Sequence, residues 1–190
     1  MKVAITGHTS GIGQGLYKYF QERGNEVQGF SQDNGFHLPD AESQVLEQIQ
    51  DCDIFVNNSL PVVSQISLLK QLWPKWANAK KKIIVIGSMI TQFDKTCDWA
   101  STISEFPQMQ EYQKQKLELD RLCKSFQYGY NKLPSACSLT VIHPGSVATN
   151  IFFGPLHTPA ELFMSVDQVV SVVDYVLNSP LQFDTVAFRK

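Results

Sequence analysis

Short apolar runs alternate along this chain with longer stretches in which apolar side chains recur every three or four positions. The stretches with helical spacing predict helices over residues 12–24, 41–50, 62–79, 107–128 and 166–177. The short runs predict strands at residues 3–5, 26–30, 36–38, 54–56, 83–86, 138–142 and 185–188. Strands that alternate with helices are typical of a parallel sheet. The sequence therefore predicts a doubly wound α/β fold, with a mostly parallel seven-stranded sheet and helices on both faces.

Length, composition and charge narrow the class of protein. A chain of 190 residues predicts one domain, spanning residues 1–190. Its net charge of −2 provides no field that would attract nucleic acid or anionic lipid. No apolar stretch has the length of a membrane span, and a core strand stands where a signal peptide would be. We therefore expect a soluble cytoplasmic protein without a nucleic-acid or membrane partner.

The cysteines give no sign of a disulfide framework or a metal site. They are far apart, without a Cys-x2-Cys pair or a histidine at metal-ligand spacing; they are Cys52, Cys97, Cys123 and Cys137. This pattern indicates reduced thiols and predicts that no metal is bound.

A glycine-rich turn connects the first predicted strand to the first predicted helix. Gly7, Gly11 and Gly13 lack the Cβ atoms that would block a tight turn or the approach of a ligand. Unpaired N–H groups at the start of a helix and the positive end of its dipole suit a diphosphate. The spacing Gly-x3-Gly-x-Gly departs from the commonest dinucleotide fingerprint. The alternative, in which the glycines serve only the turn, stays open.

The ends of the other predicted strands carry further candidate residues. In a doubly wound sheet, ligands bind beyond the carboxyl ends of the strands. Besides the glycine turn, the residues at those ends are Ser31, Leu38, Asn57, Asn58, Ser59, Gly87, Ser88, His143, Pro144 and Gly145. The stretch 89–106 has no helical or strand pattern, and a loop of that length is more often functional than neutral.

Tyr112 and Lys116 provide acid–base chemistry within the long predicted helix. They are four positions apart, so their side chains share one helix face. A nearby ammonium favours the phenolate and lowers the pKa of tyrosine toward neutrality. We therefore expect Tyr112 to be usable as a general acid or base.

These motifs together resemble the short-chain dehydrogenase/reductase family. The resemblance rests on residues 6–13, 57–59, 88, 112–116 and 144–149, which occur in the family's order. It implies a single Rossmann-like dinucleotide-binding domain, with substrate-side loops at residues 89–106 and 150–165. By the same resemblance, Tyr112 exchanges the substrate proton, Lys116 holds the nicotinamide ribose, and Ser88 hydrogen-bonds the substrate oxygen.

The resemblance also implies a set of cofactor-binding positions, to which Tyr112 and Lys116 belong. The others are Gly7, Thr9, Ser10, Gly11, Ile12 and Gly13 at the diphosphate, Ser31, Leu38, Asn57, Asn58 and Ser59 on the adenosine side, and Pro144, Gly145, Val147 and Thr149 at the carboxamide. An acidic residue after the second strand would hold a ribose 2′-hydroxyl and repel a 2′-phosphate. Ser31 stands there instead, so NADP(H) is slightly favoured over NAD(H). The alternative, that Ser31 only caps a turn, is equally open.

The sequence departs from the family's pattern in three places. Ser88 and Tyr112 are 24 positions apart, more than in compact members, so we interpret 89–106 as an insertion that lines the substrate pocket. The segment between Asn57 and Ser88 leaves little room for the family's full fourth helix. No asparagine stands where the family's catalytic asparagine is expected, and Ser64 is the nearest polar side chain. The proton relay from Lys116 to solvent is therefore an open question.

The predicted function is an NAD(P)(H)-dependent oxidoreductase that interconverts a small carbonyl compound and a secondary alcohol. Two alternatives stay open: a dinucleotide-binding sensor or interaction protein with weak or no catalysis, and an epimerase-like enzyme. The resemblance also leads us to expect a homodimer. His143 is expected to be extended because it precedes Pro144, and either to pack in the interior or to point at the nicotinamide.

Overall fold

The computed structural model describes residues 1–92, 106–129, 137–149 and 163–190. In these residues six strands form one parallel sheet. They are β1 (Lys2–Thr6), β2 (Glu26–Phe30), β3 (Ile54–Asn57), β4 (Lys82–Ile86), β5 (Ser138–Pro144) and β6 (Thr185–Phe188). The predicted α/β class and parallel sheet are confirmed, with six described strands where seven were predicted.

The strand order places a ligand crevice beside β1. Along the sheet the order is β2-β1-β3-β4-β5-β6. The chain therefore leaves β1 toward one edge, returns, and continues on the other side of β1 with β3. Ile5 pairs with Val56, so the residues that follow β1 and β3 emerge next to each other. In open α/β sheets the crevice at such a switch point is where ligands bind.

Helices cover both faces of the sheet, as predicted. They are α1 (Gly11–Glu22), α2 (Glu42–Gln48), α3 (Val62–Trp76), α4 (Pro107–Gly129) and α5 (Val166–Asn178). Successive strand residues point to opposite faces. Ala4 belongs to the core that α2, α3 and α4 complete, whereas Val3 and Ile5 belong to the core under α1 and α5. Helix α3 continues through Pro74 instead of being interrupted there.

The predicted strand at 36–38 is wrong. The segment before it forms a short 3₁₀ turn, Gln32–Asn34, capped by Ser31. The Phe36 N–H donates to the Ser31 carbonyl at 2.9 Å, and the Phe36 ring packs edge-on against Phe30 at 4.8 Å between centroids. The backbone is therefore bonded to its own turn, and the sheet ends at β2 on this side.

Several expectations concern residues outside the described ranges. They include most of the proposed insertion at 89–106, of which Met89–Gln92 is a 3₁₀ turn, and most of the loop at 150–165. Cys97 also lies outside the described ranges, whereas Cys52, Cys123 and Cys137 are buried free thiols. None of the helices in the described part of the chain combines the length and the apolar character that crossing a membrane requires.

Candidate active site

The glycine turn is closed more tightly than any side chain would permit. Gly7 and Gly11 have φ values of 70° and 52°, in the left-handed region that favours glycine. A Cβ on Gly13 would lie 2.1 Å from the Gly7 carbonyl oxygen. The first turn of α1 therefore rests directly on the end of β1. This contact explains Gly13, and the positive φ values explain Gly7 and Gly11, before any ligand is considered.

Thr6 and Asn58 hold this turn against the end of β3. The Thr6 hydroxyl oxygen accepts the N–H groups of Asn58 at 3.0 Å and Ser59 at 3.1 Å. The Asn58 side-chain amide in turn donates to the Thr6 carbonyl at 3.0 Å. Thr6 is fully buried. Asn58 and Ser59 thus lie beside the turn, and the fixing role of Thr6 is one that the sequence analysis missed.

Two predicted cofactor residues that are distant in the sequence, Gly11 and Thr149, lie next to each other at the start of α1. Ser10 is its N-cap residue, but its hydroxyl makes no capping bond to the helix. A Cβ on Gly11 would lie 3.1 Å from the Thr149 Cγ2 methyl. Thr149 is held by the strand-like bridge that Val147 forms with Met164. The segment 147–149 therefore borders the glycine turn.

Four other predicted cofactor residues make contacts within the protein. The Thr9 carbonyl accepts the Gln14 side-chain amide at 3.1 Å, and Ile12 packs partly buried against the core under α1. Pro144 ends β5, and the Gly145 N–H donates to the Phe188 carbonyl at 2.9 Å.

The adenosine side contains one residue that faces the interior. Asn57 is fully buried; its side-chain amide donates to the Gln65 backbone carbonyl at 2.8 Å, and the Asn57 backbone carbonyl accepts the Gln65 side-chain amide at 2.7 Å. In this arrangement the Asn57 side chain supports α3 instead of lining the crevice. Leu38 packs against the core, and the Ser31 N–H and hydroxyl both donate to Asn34 Oδ1. Ser31 therefore caps the turn Gln32–Asn34, in agreement with the second of the two interpretations.

Ser88, Tyr112 and Lys116 come together at the end of β4. Ser88 follows β4 directly, and its hydroxyl and that of Tyr112 are hydrogen-bonded to each other. Tyr112 and Lys116 lie on the same face of α4, with the Lys116 Nζ 5.6 Å from the centre of the Tyr112 ring. The three side chains thus lie together at the end of β4, with Ser88 bonded to Tyr112 and Lys116 on the same helix face.

Gln65, which the sequence analysis missed, anchors Lys116. Lys116 is buried, and its Nζ donates to the Gln65 Oε1 at 2.8 Å and to the Ile86 carbonyl at 2.7 Å. An ammonium has three N–H donors, so one remains for another acceptor. Burial lowers the pKa of Lys116 from 10.5 to about 7. The available signal was a glutamine on the otherwise apolar face of α3.

The predicted lowering of the Tyr112 pKa is wrong for this arrangement. Burial raises the pKa of Tyr112 to about 12, and the Ser88 hydrogen bond acts weakly in the opposite direction. Burial is the stronger effect, and the Lys116 ammonium, 5.6 Å from the centre of the Tyr112 ring, donates to the Gln65 and Ile86 oxygens. Tyr112 is therefore a neutral phenol at neutral pH, ready to donate a proton.

His143 lies beneath Ser88 and pairs with Asp120. His143 is 2% exposed, and its Nε2 is 3.6 Å from the Asp120 Oδ1. Its Nδ1 contacts the Ser88 backbone. The interior packing expected as one alternative is correct, and Asp120 is a buried acid that the sequence analysis missed. Its position four residues after Lys116 was the available signal, because that spacing places both on one helix face.

Solved structures of the same architecture align with almost the whole chain at low sequence identity. The 3-alpha-hydroxysteroid dehydrogenase from Pseudomonas sp. B-0831, in complex with NADH, is 17% identical, with 99% of this chain and 94% of that chain covered and a TM-score of 0.70. An alcohol dehydrogenase from the archaeon Thermococcus sibiricus, in complex with 5-hydroxy-NADP, is 18% identical, with coverages of 100% and 96% and a TM-score of 0.63. A short-chain dehydrogenase from Streptomyces avermitilis is 16% identical, with coverages of 98% and 87% and a TM-score of 0.68. This chain has the short-chain dehydrogenase fold.

The likeness to short-chain dehydrogenases lies in the fold and not in overall sequence similarity. No protein-family model matches the sequence, and no curated protein matches it. Within the described ranges, moreover, no three His, Cys, Asp or Glu side chains are grouped so that they could hold a metal ion.

Proposed function

We propose that this protein is an NAD(P)(H)-dependent oxidoreductase of the short-chain dehydrogenase/reductase type, which interconverts a small carbonyl compound and a secondary alcohol. The observation that carries the proposal is the grouping of Ser88, Tyr112 and Lys116 beside the switch point of the sheet. A phenol and a hydroxyl that are hydrogen-bonded to each other, with an ammonium on the same helix face, can hold a carbonyl oxygen and give it a proton. The dinucleotide supplies or accepts the hydride when it is bound.

The residues around the switch point fit a dinucleotide. A Cβ on Gly7 would meet Asn58 and Ser59, one on Gly11 would meet Thr149, and one on Gly13 would meet the Gly7 carbonyl, so only glycines permit this turn into the backbone N–H groups at the start of α1. Those N–H groups and the helix dipole would hold the diphosphate. Thr149 and Val147 would lie at the nicotinamide side, and Asn58 and Ser59 at the turn.

Each catalytic side chain has a separate task in the reducing direction. Ser88 hydrogen-bonds the substrate oxygen and orients it toward Tyr112. Tyr112 donates its phenol proton to that oxygen as negative charge develops there. Lys116 offers the N–H that is not used by Gln65 and Ile86 to the ribose and, being buried with a pKa of about 7, can return a proton to the tyrosine. Gln65 fixes the ammonium from α3.

A titration with cofactor tests the glycine turn. We expect saturable quenching or enhancement of fluorescence with NADPH and with NADH, with tighter binding of NADPH because no carboxylate follows β2 at Ser31. Gly13→Ala should weaken binding by about tenfold or more, equivalent to about 1.4 kcal/mol, because the added Cβ collides with the Gly7 carbonyl. Tighter binding of NADH would overturn the preference, and no binding of either would overturn the proposal.

Gly24→Ala is the matched control for that titration. Gly24 also has a positive φ, of 72°, but no atom lies within 4 Å of an added Cβ. The substitution therefore costs about 1 kcal/mol of backbone strain without touching the crevice. Undiminished binding by Gly24→Ala, together with a folded Gly13→Ala that binds weakly, separates a site effect from general destabilisation.

A second candidate function is a dinucleotide-binding sensor or interaction protein with little catalysis. Two observations favour it: Gln65 stands in place of the expected asparagine, and burial raises the pKa of Tyr112 instead of lowering it. Such a protein would bind NADPH but would not oxidise it with any class of carbonyl compound. The epimerase-like alternative has no supporting observation.

We also propose a homodimer formed through α3 and α4. The two helices lie side by side, and the exposed pair Lys70–Glu118, with 3.8 Å between nitrogen and oxygen, bridges them at the surface. They therefore present one common outer face. Sedimentation equilibrium should give twice the 21.4 kDa mass of the chain. A single monomeric species at all concentrations tested would contradict the dimer.

A further inference from the structure

The buried Asp120–His143 pair lies directly behind Ser88, outside the group of side chains that would touch the substrate. β5 places His143 next to the end of β4, where Gly87 makes room for the ring. A Cβ on Gly87 would lie 2.6 Å from the His143 Nδ1. The imidazole is therefore in contact with the backbone that carries Ser88.

One nitrogen of His143 has two possible partners on Ser88. The Nδ1 is 3.2 Å from the Ser88 N and 3.1 Å from the Ser88 carbonyl oxygen. To accept the Ser88 N–H it must carry a lone pair, whereas to donate to the carbonyl it must carry a proton. The two contacts therefore belong to two different protonation states of the ring.

Asp120 decides which state is present. When the His143 Nδ1 accepts the Ser88 N–H, the ring proton is on Nε2 and faces the Asp120 carboxylate 3.6 Å away. If the pair takes up one proton, either the ring becomes an imidazolium or the carboxyl group donates to Nε2. Both forms place a proton on Nδ1. Proton uptake thus moves the contact from the Ser88 N–H to the Ser88 carbonyl.

We propose that the Asp120–His143 pair is a pH-sensitive positioning device for Ser88. In the deprotonated pair, His143 holds the Ser88 N–H and fixes the peptide that presents the Ser88 hydroxyl to Tyr112. Uptake of one proton releases that N–H and weakens this alignment. The consequence for catalysis rests on the proposed oxidoreductase function, whereas the proton-linked contact itself does not.

The charged and polar groups around the ring are consistent with this assignment. Burial lowers the pKa of His143 and raises that of Asp120. Asp120 favours the imidazolium, whereas Lys116 and Lys124 disfavour it. The Thr91 hydroxyl lies 3.0 Å from the Ser88 carbonyl oxygen, to which it can donate, and 3.5 Å from the His143 Nδ1. A hydrogen bond from Thr91 also acts to lower the pKa of Asp120. The Ser88 carbonyl has a second lone pair for a protonated Nδ1.

Nuclear magnetic resonance of the ligand-free protein tests the device without a substrate. We expect the neutral His143 ring to be protonated on Nε2, and the Ser88 amide resonance to shift with pH at the midpoint of the His143 titration. Asp120→Asn should move both midpoints together to lower pH, because the carboxylate that favours the imidazolium is gone. A neutral ring protonated on Nδ1, or a Ser88 amide that does not follow His143, would overturn the proposal.

Cys123→Ala is the matched control, since Cys123 is a fully buried residue on the same helix and burial raises the pKa of its thiol, which is therefore neutral. It should cost stability but leave both midpoints in place. The wild-type titration needs no variant, so a variant that fails to fold leaves the test intact. A proton-linked Ser88 amide in a protein that binds no NADPH would keep this inference and reject the proposed function. If the protein binds NADPH but the Ser88 amide shift does not follow the His143 titration, the proposed function is kept and this inference is rejected.

Discussion

Tyr112→Phe is expected to reduce turnover of a carbonyl substrate by roughly 10²- to 10⁴-fold, the range typical of a lost general acid. NADPH affinity should be nearly unchanged. The phenyl ring keeps the contacts that Tyr112 makes with Ile90 and Met109, so the substitution removes only the hydroxyl that meets Ser88. The measurement is NADPH oxidation at 340 nm, about the absorbance maximum of the reduced cofactor, with a panel of aldehydes and ketones.

Tyr128→Phe serves as its control. Tyr128 lies on the same helix but is 68% exposed and has no contact with the site, so its loss should leave turnover unchanged. Full turnover in Tyr112→Phe would contradict the proton-donor role. If the wild-type protein binds NADPH but oxidises it with no compound in the panel, the sensor function is favoured instead.

The raised pKa of Tyr112 gives the two directions of the reaction different pH dependences. With a pKa of about 12, the phenol is fully protonated at neutral pH and is competent to donate in reduction. Oxidation of an alcohol needs the phenolate as a base, which this environment disfavours. The protonation state of Tyr112 in the ligand-free site therefore favours the reducing direction of the proposed reaction. The rate of alcohol oxidation should increase with pH.

Much of the architecture could be predicted because local patterns dictate it. Buried parallel strands produce short apolar runs. The glycines with positive φ are required by the turn after β1 whether or not a ligand binds there. The order of strand ends then brings Ser88 to the helix that carries Tyr112 and Lys116. The predicted strand at 36–38 is wrong because Phe36 and Leu38, the apolar residues of that segment, pack against the core from a turn, where Phe36 contacts the Phe30 ring.

The contacts that fix Lys116 could not be predicted, because they join distant parts of the chain. Gln65 and Lys116 are 51 positions apart, and helical periodicity indicates which face of α3 is buried without indicating what it meets. The sequence analysis looked for an asparagine and considered Ser64, whose hydroxyl is buried without a partner in the described structure. Asn57 was likewise placed at the cofactor from motif order, whereas its side chain bonds to α3.

Lys116→Met should change the pH dependence of stability. Lys116 has a pKa of about 7 in the folded protein against 10.5 ordinarily, so between these values the unfolded chain holds one more proton. Stability rises with pH wherever the unfolded state binds more protons. The free energy of unfolding of the wild type relative to Lys116→Met should therefore increase from pH 7 to 10 by about 1 kcal/mol per unit, and stay level below pH 6.

Urea unfolding of both proteins at each pH measures that difference. Groups common to the two proteins, including Tyr112 and the buried cysteines, cancel to first order. The loss of the hydrogen bonds to Gln65 and Ile86 adds an offset to the difference but no slope with pH. Lys114→Met is the control, because it removes a lysine from the same helix at a position that is 79% exposed. A flat difference for Lys116→Met would mean that the ammonium keeps its ordinary pKa. A rising difference would mean that Lys116 exchanges its proton near neutral pH, which is what resupplying Tyr112 requires.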